Sequence, residues 1–376
     1  MSPGPTVLRD LSHIPKGPLS PNGAESMRAL RLLACVALGA SIGVVPGTAA
    51  ASTTSGPISL YRQWRIVYHV NLKARNFWWS GALVAPGKNQ AWAVGGVGGS
   101  GDFLEHWGGY RWRMMAVPGV NFHPDSIAAS ASDNVWLFAD ANRAFIWNGQ
   151  HWAPAPGTRG MSMTNPVVLG PSDVWSIGSD VACGHGVLNH WTGAHWSVVA
   201  TPGPISAISG SSPRNFWVLT LPETSSCKLL PGTPFSAYHW NGKSFSRVRI
   251  PRMMPGHSLY PGFFTVASGN DIWIANWPKD VIVHWNGRLW QNISLRTSGT
   301  YISPTSITPD GRGGAWIGGC WHWLNGVWHP IDYFRSSCDE TFGLSRIPGT
   351  MSAWRLSVNS FGGRAEGTIE INGPLP

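Results

Sequence analysis

The chain has 376 residues, of which 23 are Trp, 46 are Gly and 30 are Pro, whereas Asp, Glu, Lys and Arg together make only 12%. A disordered chain is rich in charge and poor in aromatic residues, and a helical chain avoids Gly and Pro, so both classes are excluded. The net charge of +9 is scattered along the chain, so we expect no nucleic-acid partner. An all-β fold of short strands and Gly-rich turns remains.

The amino terminus resembles an export signal behind a leader. Residues 1–26 are rich in Pro, Gly and Ser, and we favour a start codon placed too early, with a disordered leader as the alternative. Residues 27–51 have a basic region, an apolar run shorter than the ~20 residues of a bilayer span, and small residues suited to cleavage near Ala51. We therefore expect a secreted, extracellular protein with no membrane span, in which residues 52–60 form a linker.

Two signatures alternate along the rest of the chain. The first is a Trp in a short apolar stretch, as in DVWSIGS (173–179), and the second is a turn flanked by aromatics, as in VHWNGRLWQNI (283–293). The first-signature Trp occurs seven times, at Trp92, Trp136, Trp175, Trp217, Trp273, Trp316 and Trp354. Periods of about 40 residues built from short strands indicate one four-stranded blade per repeat. We predict a seven-bladed β-propeller over residues 61–376.

Each repeat divides into four strands, lettered a to d in chain order. Strand b carries the first Trp, strand c carries a second one, and a Gly-containing turn with hairpin geometry leads to a third aromatic on strand d. The strand-c and strand-d anchors are Trp107, Trp112, Trp147, Trp152, Trp191, Trp196, Trp240, Phe245, Trp285, Trp290, Trp323 and Trp328. Burying a large aromatic stabilises a fold by roughly 1.5–3 kcal/mol, so we expect these anchors to pack between blades.

The seventh repeat lacks its strand d. After Trp354 come RLSVNS and GTIEING (367–373), which match strands b and c. The segment LYRQWRIVYHV (60–70) matches a strand d with Trp64 as its anchor. We predict that residues 62–68 pair with residues 367–373, because this closes the ring without an open sheet edge.

These signatures resemble those of known propellers over residues 60–373. The blade layout is similar to that of kelch-type and galactose-oxidase-like propellers, and more closely to Trp-rich secreted repeat proteins of actinobacteria, whose copies read DVWAVG followed by HWNGTSW. The segment WSVVATPGPISAISGSSPRNFW (196–217) shares a looser rhythm with tectonin-type lectins. The resemblance implies the propeller fold and, by analogy, carbohydrate binding. Nothing here matches the galactose-oxidase copper motif, so we expect no cofactor.

Four cysteines follow the signal segment, and four cysteines allow three pairings. The blade map places Cys183 and Cys227 in the b–c loops of blades 3 and 4, Cys320 after strand b of blade 6, and Cys338 in the next connector. Because b–c loops and d–a connectors share one face of a propeller, we predict the pairs Cys183–Cys227 and Cys320–Cys338, which export permits. The absence of any CxxC spacing argues against a metal cluster.

Five histidines and two short motif fragments are weaker indications of function. Five histidines precede the strand-c anchor, one per blade, and we expect them to form hydrogen bonds between blades: His106, His190, His239, His284 and His322. DGRGGAW (310–316) and SRIPG (345–349) are similar to fragments of sialidase motifs. We interpret both as coincidence, because the first does not repeat and no arginine triad can be assigned.

No catalytic set stands out in the sequence. There is no Gly-x-Ser-x-Gly elbow, and no spacing selects a glycosidase carboxylate pair. We interpret the chain as a monomeric, secreted, non-catalytic binding propeller for a glycan, a cell-wall polymer or another protein. The alternatives are a secreted polysaccharide hydrolase or lyase, with its site on the face formed by the loops, and a purely structural wall protein.

Any ligand is expected on the face formed by the b–c loops and d–a connectors, here named the loop face. The longest insertion, LPETSSCKLLPGTPFS (221–236), belongs to it, and insertions into a repeat commonly carry function. The opposite face, here named the turn face, offers only tight a–b and c–d turns with little expected room. The candidate ligand-binding residues are His185, Lys228, Trp277 and Trp321. Four Trp outside the anchor pattern are candidates to stack on sugars, namely Trp78, Trp79, Trp277 and Trp321.

Overall fold

The computed structural model is built from β-strands. It describes residues 63–70, 77–97, 101–119, 122–139, 143–158, 161–179, 186–221, 235–250, 261–276, 281–297, 300–302, 306–331, 341–361 and 364–376. Within these ranges, thirty strands form seven four-stranded sheets and one two-stranded hairpin, β22 (Arg296–Thr297) with β23 (Thr300–Tyr301). No helix in this part of the chain has the length and apolar character needed to cross a bilayer.

Six sheets each consist of four consecutive antiparallel strands, which form blades 1 to 6. Blade 1 contains β2 (Phe77–Gly87), β3 (Gln90–Val97), β4 (Gly101–Trp107) and β5 (Trp112–Ala116). Blade 2 contains β6 (Pro124–Ala131), β7 (Asn134–Ala139), β8 (Arg143–Trp147) and β9 (Trp152–Pro154). Blade 3 contains β10 (Thr164–Gly170), β11 (Asp173–Ser179), β12 (Gly186–Trp191) and β13 (Trp196–Val199).

The next three blades repeat this layout. Blade 4 contains β14 (Ile205–Ser212), β15 (Asn215–Thr220), β16 (Ser236–Trp240) and β17 (Phe245–Val248). Blade 5 contains β18 (Pro261–Ser268), β19 (Asp271–Asn276), β20 (Val281–Trp285) and β21 (Trp290–Ser294). Blade 6 contains β24 (Ile307–Pro309), β25 (Ala315–Ile317), β26 (Trp321–Leu324) and β27 (Val327–Pro330).

Blade 7 joins the two ends of the described chain. It contains β28 (Thr341–Arg346), β29 (Ala353–Phe361), β30 (Arg364–Asn372) and β1 (Arg65–His69). Strand β1 pairs antiparallel with β30, with Arg65 opposite Ile371 and His69 opposite Thr368. The predicted closure by an amino-terminal strand is therefore confirmed, and β30 is not left as an open edge.

The strands a form the inner ring of the propeller. They contact one another in the order β2, β6, β10, β14, β18, β24 and β28, and β28 contacts β2 again. Gly81 shows how closely the last two approach, because it has a φ of +84° and a methyl group there would lie 2.9 Å from the carbonyl oxygen of Phe342. The seven blades thus form a closed ring, and the fold is a seven-bladed β-propeller.

The seven first-signature tryptophans are buried in the seams between neighbouring blades. In a typical seam, the strand-b Trp of one blade meets the strand-c and strand-d aromatics of the next. Trp354 of blade 7, for example, lies 5.2 Å between ring centroids from both Trp107 and Trp112 of blade 1. The high Trp content therefore serves mainly to pack one blade against the next.

The histidines differ from the expectation that they bond between blades. Four of the five stack on the strand-b Trp of their own blade, with ring centroids 3.7 Å apart for Trp175 and His190, and His239 is tilted against Trp217. His190 Nε2 also lies 2.8 Å from Asp173 Oδ1, again in the same blade. The pairing of neighbouring strands b and c explains this arrangement, because Trp175 lies directly opposite His190 in the ladder.

Candidate functional sites

Six of the eight predicted ligand-binding and disulfide residues lie outside the described residues. These are His185, Lys228, Trp277, Cys183, Cys227 and Cys338. Cys320 is described and buried, with 2% of its surface exposed. Both predicted disulfide pairings and the roles of His185, Lys228 and Trp277 therefore stay predictions.

The sequence suggested that Trp321 lies in a b–c loop, outside the packing pattern. In the structure it lies in a strand. It is the first residue of β26 and stands opposite Ile317 on β25 and Pro330 on β27. Its half-buried side chain packs against the apolar cluster between blades 5 and 6. In the ladder, Trp321 occupies the position that Glu105 holds in blade 1, two residues before the strand-c anchor. Position 321 is thus a regular position of the repeat that carries an unusual residue. The ligand-binding role of Trp321 stays a prediction.

Trp78, near the start of β2, is an exposed aromatic at the loop face. Its neighbours Phe77 and Trp79 point inward, and Trp79 Nε1 donates a 3.0 Å hydrogen bond to the carbonyl of Ser357. Trp78 itself is 39% exposed and lies opposite Gly96 in the ladder. A methyl group on Gly96 would collide with the Trp78 indole, so the ring rests directly on the glycine backbone.

An oriented carboxylate and imidazole lie beside Trp78. A methyl group on Gly96 would also lie 2.6 Å from Asp102 Oδ1, so Asp102 and the indole share this glycine. The Asp102 side chain is 7% exposed, and its Oδ2 lies 2.7 Å from Nδ1 of His123, whose side chain is 71% exposed. Trp78, Asp102 and His123 together form a small open site that we name the Trp78 platform.

The sequence contained a signal for this platform. Only blade 1 combines FWW at the start of strand a with the pair Gly95-Gly96 at the end of strand b. Gly95 has no room for a side chain beneath Trp79 and Phe103, and Gly96 has none beneath Trp78. Two glycines facing three aromatics across a ladder indicate rings packed on backbone, which is how one ring can be held at the surface.

The turn face is not featureless, contrary to the sequence-based expectation of little room. A cavity of ≈ 560 Å³ opens there between blades 5 and 6, with Arg346 of blade 7 at its edge. Its lining includes Asn270, Gln291, Arg312, Trp323, Asn325 and Arg346. This cavity brings together DGRGGAW and SRIPG, which the sequence left as unrelated fragments. We name it the turn-face cavity.

Two buried carboxylates lie at this cavity or next to it, and both are engaged. Asp271 Oδ1 accepts a 2.6 Å hydrogen bond from Trp273 Nε1 and lies 3.0 Å from His284 Nε2. Asp310 lies 2.9 Å from His322 Nε2 and also accepts hydrogen bonds from backbone N–H groups. Burial disfavours the charged form of Asp310, but these hydrogen bonds outweigh burial and lower its pKa.

Comparison with solved structures supports the fold. The chain is similar to YCF48 bound to D1 peptide, with 12% identity and a TM-score of 0.52 over 83% of this chain and 96% of that one. It is similar to a catalytically inactive virginiamycin B lyase from Staphylococcus aureus with quinupristin, with 12% identity and a TM-score of 0.56 over 83% and 100%. The WD40 propeller domain of Doa1 matches at 10% identity and a TM-score of 0.50 over 82% and 96%.

At these identities the likeness shows the β-propeller fold and nothing about a shared site. No family model matches the sequence, and no curated protein does. Any function must therefore be argued from the residues of this chain.

Proposed function

We propose that this chain is a secreted, non-catalytic propeller that binds a glycan or cell-wall polymer at the Trp78 platform. The observation that carries the proposal is the indole of Trp78, held open to solvent on Gly96 beside Asp102 and His123. The C–H face of a sugar ring is apolar and packs on an aromatic ring, whereas its hydroxyl groups need hydrogen-bond partners. An indole beside a carboxylate and an imidazole offers both.

The platform is ordered by its own contacts, which favours binding. The Gly96 backbone supports one face of the indole, and His123 fixes the buried Asp102 carboxylate. Groups that are already fixed lose little conformational freedom when a ligand arrives, so less of the interaction energy is lost to ordering. The open surface also suits a polymer whose chain continues beyond the site.

Export and the resemblance to secreted repeat proteins support the choice of ligand class. The signal-like segment 27–51 would deliver the protein to the exterior, where polysaccharides are abundant. A peptide bound to YCF48 and quinupristin with the lyase show that this fold accommodates ligands in other proteins. These proteins share only the fold with this chain, and the support for a glycan ligand here comes from the Trp78 platform.

A glycan array and a polysaccharide pull-down with the full chain test the proposal. Trp78→Ala is expected to weaken binding about tenfold or more, because an aromatic contact contributes on the order of 1–2 kcal/mol. The matched control is Tyr110→Ala, since Tyr110 is 86% exposed but lies in the c–d turn of the same blade on the turn face. Equal affinity of the parent and a correctly folded Trp78→Ala variant would remove the platform from consideration.

A polysaccharide lyase or hydrolase is the second candidate, and one observation favours it. If His123 Nδ1–H donates to Asp102, the exposed Nε2 carries a lone pair and can act as a general base. Turnover assays with the bound polysaccharide separate the two functions. For an enzyme, the parent protein shows turnover and His123→Ala abolishes product formation even at saturating polysaccharide, whereas a binding module shows no turnover in the parent protein.

A further inference from the structure

The turn-face cavity contains cationic and amide groups that have no partner in the described part of the chain. The Arg346 side chain forms no hydrogen bond or ion pair within the described residues, and its Nε is buried without an acceptor. A buried donor without an acceptor costs free energy, and such groups call for an explanation such as a ligand. The Arg346 side chain is therefore a candidate to bind a ligand.

The backbone of blade 6 is shaped to hold the Arg346 guanidinium at the cavity. Gly311 adopts a φ of +77°, and a methyl group there would collide with the guanidinium of Arg346. The guanidinium of Arg346, which belongs to blade 7, thus lies directly over the a–b turn of blade 6. A residue other than glycine would have to displace it, and would also be strained at this φ.

A second guanidinium follows in the same turn. The backbone N–H of Arg312 donates a 2.6 Å hydrogen bond to Asp310 Oδ1, which fixes the turn, while the Arg312 side chain stays exposed at the cavity. The side-chain amides of Asn270, Gln291 and Asn325 line the same space, and within the described residues none of them bonds to another side chain. Three blades thus contribute unpaired donors to one cavity.

The neighbouring carboxylates do not cancel these donors. Asp271 and Asp310 each bond a histidine and at least one further N–H group, and their side chains are 12% and 0% exposed. Two engaged, buried carboxylates leave the guanidiniums as the charged groups with free hydrogen-bond donors. An oxyanion fits them, because the planar fork of Arg binds carboxylate or phosphate with two parallel bonds.

We propose that the turn-face cavity binds an oxyanion group carried on a hydroxylated ligand, such as a uronate or a polyol phosphate. Arg346 and Arg312 hold the oxyanion, and the amides of Asn270, Gln291 and Asn325 bond the hydroxyl groups. The volume of ≈ 560 Å³ accommodates one sugar-sized unit. The proposal does not depend on the Trp78 platform, since the two sites lie on opposite faces and share no residue.

Calorimetric titration of the full chain tests the site with three probes: D-galacturonate, glycerol 1-phosphate and neutral D-galactose. We expect one of the two anions to bind at least about tenfold more tightly than galactose, and binding to weaken as salt is raised. The anion that binds more tightly identifies the source as uronate or polyol phosphate. Equal binding of all three probes, or no binding of either anion, would overturn the proposal.

Substitutions then locate the site. Arg346→Gln is expected to reduce anion affinity about tenfold or more, whereas Arg288→Gln is the matched control, because Arg288 lies in a neighbouring c–d turn outside the cavity lining. Gly311→Ala should also weaken binding by displacing Arg346. If Arg288→Gln weakens binding as much as Arg346→Gln, the effect is general charge and the cavity is not the site. Trp78→Ala is expected to leave anion affinity unchanged. A negative result for the turn-face cavity therefore says nothing about glycan binding at the Trp78 platform, and the reverse also holds.

Discussion

The seam between blades 1 and 2 differs in kind from the seam between blades 6 and 7, which we name the closing seam. In the first, Trp92 lies 5.1 Å between ring centroids from both Trp147 and Trp152, and the surroundings are apolar. In the closing seam, Trp316 shares an apolar cluster with Trp64, Ile331 and Ala353, and Asn372 stands at the strand-c position that an aromatic holds in the other described blades.

Buried charge replaces the missing aromatic in the closing seam. Arg355 and Glu370 form an ion pair in which Nε lies 3.1 Å from Oε2, and both are essentially unexposed. Ser357 donates a 2.6 Å hydrogen bond to Glu370, Arg355 Nη1 donates to the carbonyl of Gly319, and the guanidinium lies 4.8 Å from the Trp64 ring centroid. Every charged group there has a partner, which burial requires.

The comparison shows two solutions to the same problem. An apolar seam stabilises the fold through the apolar surface area that it buries, and it tolerates small shifts of one strand along another. An ion pair is satisfied in only one register, because a slipped strand would bury an unpaired charge. The closing seam lies against blade 7, in which β1 and β30 pair without a covalent link between the two ends of the described chain. Arg355 and Glu370 stand opposite each other on β29 and β30, and the Arg355 guanidinium lies over Trp64 beside β1. We infer that these charges fix the register of β29 against β30 and hold Trp64 in place.

The largest effect is expected from removing the closing strand. Deleting residues 52–70 takes away β1 and Trp64, which exposes the edge of β30 and leaves Arg355 without its aromatic partner. We expect loss of the cooperative melting transition in circular dichroism and rapid proteolysis. Deletion of residues 1–26 is the control and should leave the transition in place. An unchanged melting curve after deletion of 52–70 would contradict closure by β1.

An anchor in an apolar seam comes next. Trp175 is 1% exposed between blades 3 and 4 and contacts Trp240 and Phe216. Trp175→Ala is expected to cost about 3–5 kcal/mol of unfolding free energy, because it leaves a cavity as well as losing buried area. Chemical denaturation measures this, with the surface variant Trp78→Ala as control. A stable Trp175→Ala variant that has lost a ligand would instead make this anchor a binding residue.

For the ion pair of the closing seam, the loss of stability depends on whether one charge or both charges are removed. Glu370→Ala leaves Arg355 buried and uncompensated, which is expected to cost about 3 kcal/mol. The double variant Arg355→Met/Glu370→Leu removes both charges and is expected to recover most of that loss. Chemical denaturation of the three proteins forms the comparison. A double variant no better than the single one would mean that the pair itself supplies stability.

The smallest effect concerns pH at the other side of blade 7. Burial raises the pKa of Glu105 to about 8, although a hydrogen bond from Tyr68 opposes this, and burial likewise raises the pKa of Tyr68 to about 12. Between pH 4.5 and about 8, the folded protein therefore keeps a proton on the Glu105 carboxyl. The unfolded chain, in which the pKa of Glu105 is 4.5, releases that proton in the same range. Stability contributed by neutral Glu105 is complete below pH 4.5 and is lost as the pH rises to about 8.

Glu105→Gln removes that dependence. We expect the variant to gain on the order of 2 kcal/mol over the parent at about pH 9 and little at about pH 4, with solvent near the half-buried Tyr68 limiting the gain. Thermal unfolding across this pH range measures it. Glu366→Gln is the matched control, because Glu366 is 46% exposed beside His69. Parallel pH curves for parent and Glu105→Gln would show that Glu105 is charged in the folded state.

The periodic parts of the structure were predictable, and the exceptions were not. The spacing of Trp136 and Trp175 marks equivalent strands, so local sequence suffices to count blades and place anchors. The histidines were misplaced because sequence spacing shows that His190 recurs but not that it stacks on Trp175 in its own blade. Trp321 was misplaced because one atypical residue at a repeat position looks like a loop residue until the ladder is known.

The sequence by itself determined the class of this protein. Alternating apolar residues, Gly-containing turns and an aromatic period of about 40 residues leave a closed ring of seven blades as the solution that buries every Trp-bearing face. Even the closing strand follows, because a repeat missing its last strand at one end and an isolated copy at the other must pair.

Only the tertiary structure decided where chemistry can occur. Arg346, Gly311 and Asn270 belong to blades 7, 6 and 5, and they meet because the ring curves, a relation that no local pattern encodes. The outward turn of Trp78 likewise depends on Gly96 across the ladder and on Asp102 beyond it. A repeat specifies each blade from neighbouring residues, whereas a site arises from residues far apart in the chain whose meeting depends on closure of the ring.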